Sequence, residues 1–379
     1  GEQKVLVVGA GMSGASVGRV AAERGYRVDI WDRRDQVGGN CVEAEHDGVT
    51  IHRYGPHRFR TNSKEVKAFL SKFTTWRPYD VQTRTRSGSK FYHFPINRVT
   101  LEEVFGVKLR TVEETKAFLD KEVRKAAPLI RNATVAGEQD AESYLLSRVG
   151  YKLYRMFYEG YTQKQWNVPV SNLPASYVGR VPIYYDNTDT YVADKTQMLP
   201  AEGYNRMFER MVDHPNIAVS LGRDFTRDML RTSASSYDVV VYTGPIDEYF
   251  GEPGRLPWRS LRWDWITHNK TYAQDWYKIN YGDRTVPQTR DIEIKRLTGQ
   301  VIPGRSVIMR EFPMDSGEPF YPMRNSASLR QLAQYQERAQ REDPHVHFIG
   351  RLAVFEYIDM DVAVMRALTF ANSLFPTQI

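Results

Sequence analysis

Val5-Leu6-Val7-Val8 is an apolar run of strand length that stops at Gly9-Ala10-Gly11-Met12-Ser13-Gly14. A helical stretch from Ala15 to Arg24 follows, apolar at Val17, Val20 and Ala21, and Arg27-Val28-Asp29-Ile30-Trp31 is a second strand ending in Asp32. Few arrangements constrain a fold as tightly. Glycines let the backbone approach a pyrophosphate, the helix N-terminus offers free N–H groups and positive dipole, and the acid closing the second strand takes a ribose hydroxyl pair. The order predicts a Rossmann-like α/β domain that binds a dinucleotide.

Downstream residues choose the dinucleotide. Arg33-Arg34-Asp35-Gln36-Val37-Gly38-Gly39-Asn40 resembles the extension found in flavoproteins related to glutathione reductase and the amine oxidases, which implies FAD. Tyr237 to Pro245 reads as a buried strand ending in Thr243-Gly244. His347-Phe-Ile-Gly350-Arg351 reads as another, with a helix from about Met360. Both are expected in the same parallel sheet, meeting the cofactor at their carboxyl ends.

At 379 residues the chain is long enough for two to three domains. Charged residues make up 26% and mean hydropathy is −0.54, and no run approaches the ~18 apolar residues of a membrane helix. No basic, apolar, small-residue order of a signal peptide opens the chain. One cysteine, Cys41, excludes an internal disulfide and a multi-cysteine metal site, and no metal is expected. A cytoplasmic protein is expected. Net charge is +6 without any long basic block, so the expected partners are anionic small molecules, not nucleic acid.

The cofactor segments are scattered along the chain. The expected division is an FAD-binding domain in three parts (1–75, 198–245, 323–379), an antiparallel sheet domain (76–99, 246–322), a helical insertion (100–180), and a lid with a sheet strand (181–197). Thr111 to Ile130 and Ala141 to Val149 are helical in period, and Leu153, Met156, Phe157 and Gly160 continue it at i, i+3, i+4 and i+7. Ile246 to Pro322 alternates polar and apolar residues between glycine turns.

Gly160-Tyr-Thr-Gln-Lys-Gln-Trp166 places polar groups beside aromatic faces, which suits stacking on a planar base. Together with Tyr54-Gly-Pro-His57-Arg-Phe59, Leu199-Pro200…Gly203-Tyr204, Tyr242-Thr-Gly-Pro-Ile-Asp247, Trp258-Arg-Ser-Leu261, Thr289-Arg290, Glu318-Pro-Phe-Tyr321-Pro and Gly350-Arg351-Leu-Ala353, it resembles the bacterial UDP-galactopyranose mutases from Val5 to about Ala371.

The resemblance implies a nucleotide-sugar pyranose/furanose mutase in which reduced FAD is the active form, its N5 acting as nucleophile at the anomeric carbon and displacing the nucleoside diphosphate. It implies a uridine pocket from Phe157, Tyr158, Tyr161, Thr162 and Trp166, and diphosphate contacts from Arg290, Tyr321 and Tyr357 with Asn280 nearby. Tyr184 and Tyr191 are further substrate contacts. The FAD contacts implied are Gly9, Gly11, Met12, Ser13, Gly14, Asp32, Arg33, Arg34, Gly39, Asn40, Tyr54, Gly55, His57, Val219, Thr243, Gly244, Gly350, Arg351, Tyr357, Asp359 and Met360. Arg290, His57, Arg60, Glu311 and Asp359 are the residues expected to serve the chemistry. The expected partner is a nucleotide sugar, and a homodimer is allowed for.

Three positions depart from the family pattern. The lid reads Arg180-Val-Pro-Ile-Tyr184, with tyrosine where the family has an arginine; Thr196 stands at a lid tyrosine; and Arg60 replaces the second histidine of a His-x-x-His motif. Two anion contacts are lost and one cation gained, so a rebuilt substrate site is expected. A deoxy sugar or a dTDP-sugar is an alternative substrate, and an amine-oxidase-like flavin oxidoreductase an alternative activity.

Overall fold

The computed structural model describes residues 3–179, 181–189 and 196–378, with Thr196 through its backbone alone. Five parallel strands form the first sheet, in the order Ile217–Leu221, Arg27–Asp32, Lys4–Val8, Val239–Tyr242 and Val346–Phe348. These strands are buried apolar runs because helices cover both faces. Met12–Glu23 packs on the sheet and on Met360–Leu374 through Ala15, Val17, Val20, Ala21, Val364, Ala367 and Ala371, all under one tenth exposed. The short side chains let the two helices approach closely. Three chain segments therefore complete one Rossmann-like α/β core.

The second sheet has seven strands: Tyr321–Pro322, Trp258–His268, Ser306–Met314, Arg290–Glu293, Lys278–Tyr281, Thr83–Ser87 and Lys90–Phe94. It is antiparallel except where Lys278–Tyr281 lies parallel to Thr83–Ser87. Those two strands come from distant parts of the chain, so no hairpin compels them to run oppositely. The expected antiparallel sheet is present, with that one parallel pair within it.

The helical insertion is built from Arg98–Phe105, Val112–Ala126, Ala141–Leu153 and Gly160–Trp166. Asn97, Thr111 and Asp140 cap the first three of these, each side chain accepting a backbone N–H of the first turn. Between the last two lies a π-helical turn, Tyr154–Glu159, where the spacing predicted an ordinary α-helix. Gly150, at φ +80°, already breaks the regular helix before it. The π turn widens the helix where it meets the second sheet: a Cβ on Gly160 would stand 2.3 Å from the Gly282 carbonyl oxygen.

Among the described residues no helix is long and apolar enough to cross a membrane.

Candidate functional site

Two cavities meet where the sheets face each other. The first is a cleft of ≈260 Å³ along the carboxyl ends of the parallel strands. At its centre two glycine turns touch: a Cβ on Gly39 would lie 2.9 Å from the Gly11 Cα, and one on Gly14 would lie 1.9 Å from the Gly9 oxygen. Gly9 adopts φ +107° and Gly39 φ +57°, so other residues would be strained there as well as crowded. The Met12–Glu23 helix starts at this turn without a side-chain cap and with no acid in its first turn. Its first N–H groups are left for an anion. Asp32 accepts the Ala10 N–H at 2.8 Å and the Arg34 N–H at 2.9 Å, which fixes the carboxylate across the turn.

Of the residues expected to contact the cofactor, Gly9, Gly11, Met12, Ser13, Gly14, Asp32, Arg33, Arg34, Gly39, Asn40, His57, Thr243, Gly244, Gly350, Arg351 and Met360 line this cleft. Tyr54, Gly55, Tyr357 and Asp359 line the adjoining cavity instead. Val219 does neither. It sits mid-strand opposite Ile30 and packs on the sheet's core. Arg223, Phe225 and Glu248 also line the cleft and were missed. The Arg223 guanidinium lies 3.7 Å from the Trp31 ring centroid, and Glu248 holds Arg33 at 3.2 Å. No motif marks these residues, because they follow strands that only the sheet order brings to Asp32: Arg223 and Phe225 in a loop, Glu248 in the short helix Ile246–Tyr249.

The glycine contact, the uncapped helix and the placed acid together fit a dinucleotide. The cleft's further reach to Asn40, His57 and Met360 leaves room for a large second half.

The second cavity, ≈190 Å³, shares Asn40, His57, Arg351 and Met360 with the cleft and is roofed by the seven-stranded sheet. Register sets the sheet face from which Arg290 and Glu311 reach the cavity. Thr85, Asn280, Arg290, Glu311 and Trp263 are consecutive cross-strand partners over five strands, so their side chains share one face. Arg290 makes a two-pronged ion pair with Glu311, and Trp263 Nε1–H donates to the same carboxylate at 3.1 Å. Glu311 is 1% exposed, and its charge holds the guanidinium protonated well above the ordinary range despite burial. Beside Arg290, the buried Asn280 Oδ1 and Thr85 Oγ1 have no hydrogen-bond partner among the described residues. A polar ligand is what such atoms call for.

All five residues expected to serve the chemistry, Arg290, His57, Arg60, Glu311 and Asp359, line this cavity. Arg60 meets Asp359 at 3.3 Å. His57 Nδ1 lies 2.8 Å from the Gly55 oxygen; a carbonyl only accepts, so Nδ1 carries the proton and Nε2 is left as an acceptor. Burial chiefly, against that hydrogen bond and with help from Arg351 and Arg290, pushes His57 down to about 4, so the ring is neutral.

Lys278 was missed. It is 6% exposed, lines the cavity, and is pushed well below the usual amine range by burial first, then by Arg58 and Arg290, with Glu311 opposing. Its signal was legible: two residues before Asn280 on a strand, it must share that residue's face.

The aromatic run divides. Trp166 packs 4.5 Å from the Tyr177 ring and 5.9 Å from Tyr321, a cavity residue, and Tyr321 continues to Tyr357 at 5.5 Å. Tyr161 lies close enough to Arg290 to feel its charge. Phe157 and Tyr158 lie deeper. Both are buried in the core of the helical insertion, Phe157 stacked 6.1 Å from Phe94 and Tyr158 6.0 Å from the same ring. The π turn sets that phase. Thr162 is 5% exposed, on the same helix as Trp166. Tyr184 is held by its backbone to Ile96 and does not line the cavity. Arg180 and Tyr191 lie outside the described residues.

A family model for UDP-galactopyranose mutase matches residues 156–357, and one for an NAD(P)-binding Rossmann-like domain matches residues 7–73. The chain is 32% identical to the dTDP-fucopyranose mutase of Escherichia coli, over 97% of each protein. It is 33% identical to the "Probable UDP-galactopyranose mutase" of Klebsiella pneumoniae, over 98% of this chain and 94% of that one.

The chain belongs to the UDP-galactopyranose mutase family.

A crystal structure of reduced UDP-galactopyranose mutase superposes with a TM-score of 0.76 at 15% identity, covering 98% of this chain and 95% of the other, which is a likeness of fold. As a mutase-family enzyme the protein is an isomerase of nucleotide sugars. The two relatives differ in both sugar and base by name, and their identities to this chain are nearly equal.

Proposed function

We infer that this mutase binds FAD in the glycine cleft and, with the flavin reduced, interconverts the pyranose and furanose forms of a nucleotide sugar. The observation that carries this reading is the shared wall: Asn40, His57, Arg351 and Met360 border both the cleft and the cavity that Arg290 lines. Bound there and reduced, FAD would supply the N5 electron pair as nucleophile toward the anomeric carbon, leaving the sugar with no net redox change.

The chain's own residues handle the rest. Trp166 and Tyr161 take the base. Arg290, with Tyr321 and Tyr357, holds the diphosphate as it leaves and keeps it beside the sugar for return. Glu311 pre-orients that guanidinium and is not free to act as a base, because Arg290 and Trp263 already occupy it. His57, neutral, adds no charge and offers Nε2 as an acceptor.

The test uses purified protein under anaerobic conditions with UDP-galactose and dTDP-fucose. Heat-released cofactor should be FAD, and pyranose–furanose conversion should require dithionite although the reaction is redox-neutral. Equal turnover with and without reductant would sink the mechanism. Oxygen consumption with an amine, and no sugar conversion, would favour the oxidoreductase alternative.

A further inference from the structure

Tyr277 enters the Lys278–Tyr281 strand, and its carbonyl accepts the Glu293 N–H at 2.8 Å, which fixes the backbone beside the cavity. The residue lines that cavity and is 1% exposed, with the Arg58 guanidinium 5.7 Å from its ring centroid. Its hydroxyl has no hydrogen-bond partner among the described residues. Of the buried side-chain polar atoms without one, it alone belongs to a residue lining either of the two cavities above. Phenylalanine would fill the same core volume without taking a hydroxyl out of water. A buried hydroxyl at a cavity wall therefore marks a place for a polar ligand atom.

Burial raises the phenol above its ordinary range; Arg58 and Arg290 oppose this, and Glu311 adds to it. The group stays protonated and offers its O–H as a donor. The same charges show that the hydroxyl lies within electrostatic reach of the Arg290–Glu311 pair, which lines the cavity with it.

Core packing decides which part of the ligand it meets. Trp166 belongs to the core of the helical insertion, and Tyr321 packs against that core. Tyr277 belongs to the other core, with Ile292, Met309 and Phe59. A nucleotide sugar runs base, diphosphate, sugar. With the base at Trp166 and the diphosphate at Arg290, the end of the cavity away from the insertion holds the sugar. Tyr277 stands at that end, and it is not among the residues that border the cofactor cleft.

We propose that the Tyr277 hydroxyl donates a hydrogen bond to a hydroxyl of the bound sugar, and so determines specificity between a hexose and the deoxy sugar lacking that oxygen. The proposal rests on the mutase reading above. Discrimination comes from the missing partner: the deoxy sugar encloses the phenol and leaves its O–H unsatisfied.

The experiment measures binding by calorimetry on the flavin-loaded oxidised protein. The nucleotide that binds tighter, UDP or dTDP, carries a series of galactose and its 2-, 3-, 4- and 6-deoxy forms. Wild type should bind one deoxy form about five- to a hundredfold more weakly than the galactose nucleotide, the range for a buried donor left unpaired. Tyr277→Phe should weaken the galactose nucleotide, erase the discrimination against that one form, and leave the nucleoside diphosphate alone unchanged. Wild type binding all four deoxy forms as tightly as galactose overturns the proposal without any variant. So does a discrimination that Tyr277→Phe leaves intact. Equal weakening of the nucleoside diphosphate overturns it by placing the hydroxyl on the phosphates, and lost flavin absorbance in Tyr277→Phe by placing it on the cofactor. Conversion of the galactose nucleotide by reduced protein is scored separately. Conversion without the Tyr277-dependent discrimination leaves the mutase reading standing and removes the contact. The discrimination without conversion supports the contact and removes the mutase reading.

Discussion

Glu311 holds Arg290 from the neighbouring strand, with Oε2 2.5 Å from Nε and Oε1 3.0 Å from a terminal nitrogen. The two residues are direct cross-strand partners, so the backbone ladder itself sets their separation. The pairing uses one edge of the guanidinium and leaves the rest to the cavity.

Removing Arg290 should therefore hurt twice. Arg290→Ala loses a charge-assisted diphosphate contact, about ten- to a hundredfold in affinity. It also strands a buried carboxylate, which costs about 3–5 kcal/mol of stability. The double variant Arg290→Met/Glu311→Leu should recover most of the stability and none of the binding. Urea titration and KM measurements separate the two effects. An Arg290→Ala protein with wild-type stability and KM would mean the pair is idle.

Asp32→Ala should lose the cofactor. The carboxylate orders two backbone N–H groups at the phosphate turn as well as facing the ribose position, so both the turn and the contact go. Bound flavin per protein, from absorbance, is the readout, with Asp32→Asn expected to retain part of it. Full flavin content in Asp32→Ala would refute the assignment of that acid.

Acid should destabilise the fold through two histidines. Burial pushes His52 down to about 3, with His57 pushing the same way, and His57 itself falls to about 4. The ordinary value is about 6.5, so above it neither state gains a proton from these rings. Below it the unfolded chain binds protons that the folded chain refuses. Stability is then lost as pH falls from about 6.5 through the folded values, at up to about 1.4 kcal/mol per pH unit for each ring. Denaturant titrations between pH 8 and pH 4, wild type against His52→Gln, check this. The variant should show the shallower loss, and identical slopes would count against it.

Lys164→Met should destabilise the protein and raise KM together. The ammonium donates to the Tyr281 and Gln288 carbonyls, both at 2.9 Å, tying the link between the Asn280 and Arg290 strands to the Trp166 helix. Each abandoned carbonyl costs about 1–3 kcal/mol. Thermal unfolding and steady-state kinetics would show whether the two losses travel together; a Tm unchanged by the substitution would refute the clamp.

The first forty residues were legible because their parts are neighbours in the chain. The Gly9–Gly14 turn, its helix and Asp32 are set by backbone stereochemistry and by one strand–helix–strand unit, so spacing alone carries the geometry. The single residues Arg290, Glu311 and Asp359 came from the resemblance, and the cavity contains all three. Other features depended on contacts that no local pattern encodes. The cross-strand row from Thr85 through Asn280 and Arg290 to Glu311 joins strands far apart in sequence, and one step of register would turn every side chain to the other face. Phe157 and Tyr161 were indistinguishable in the aromatic run until the π turn at Tyr154–Glu159 set which one the core would take. The chain by itself determined the cofactor turn, since local stereochemistry leaves it few choices. Only the folded sheet decided which side chains share a face with Arg290, because that depends on register between distant strands.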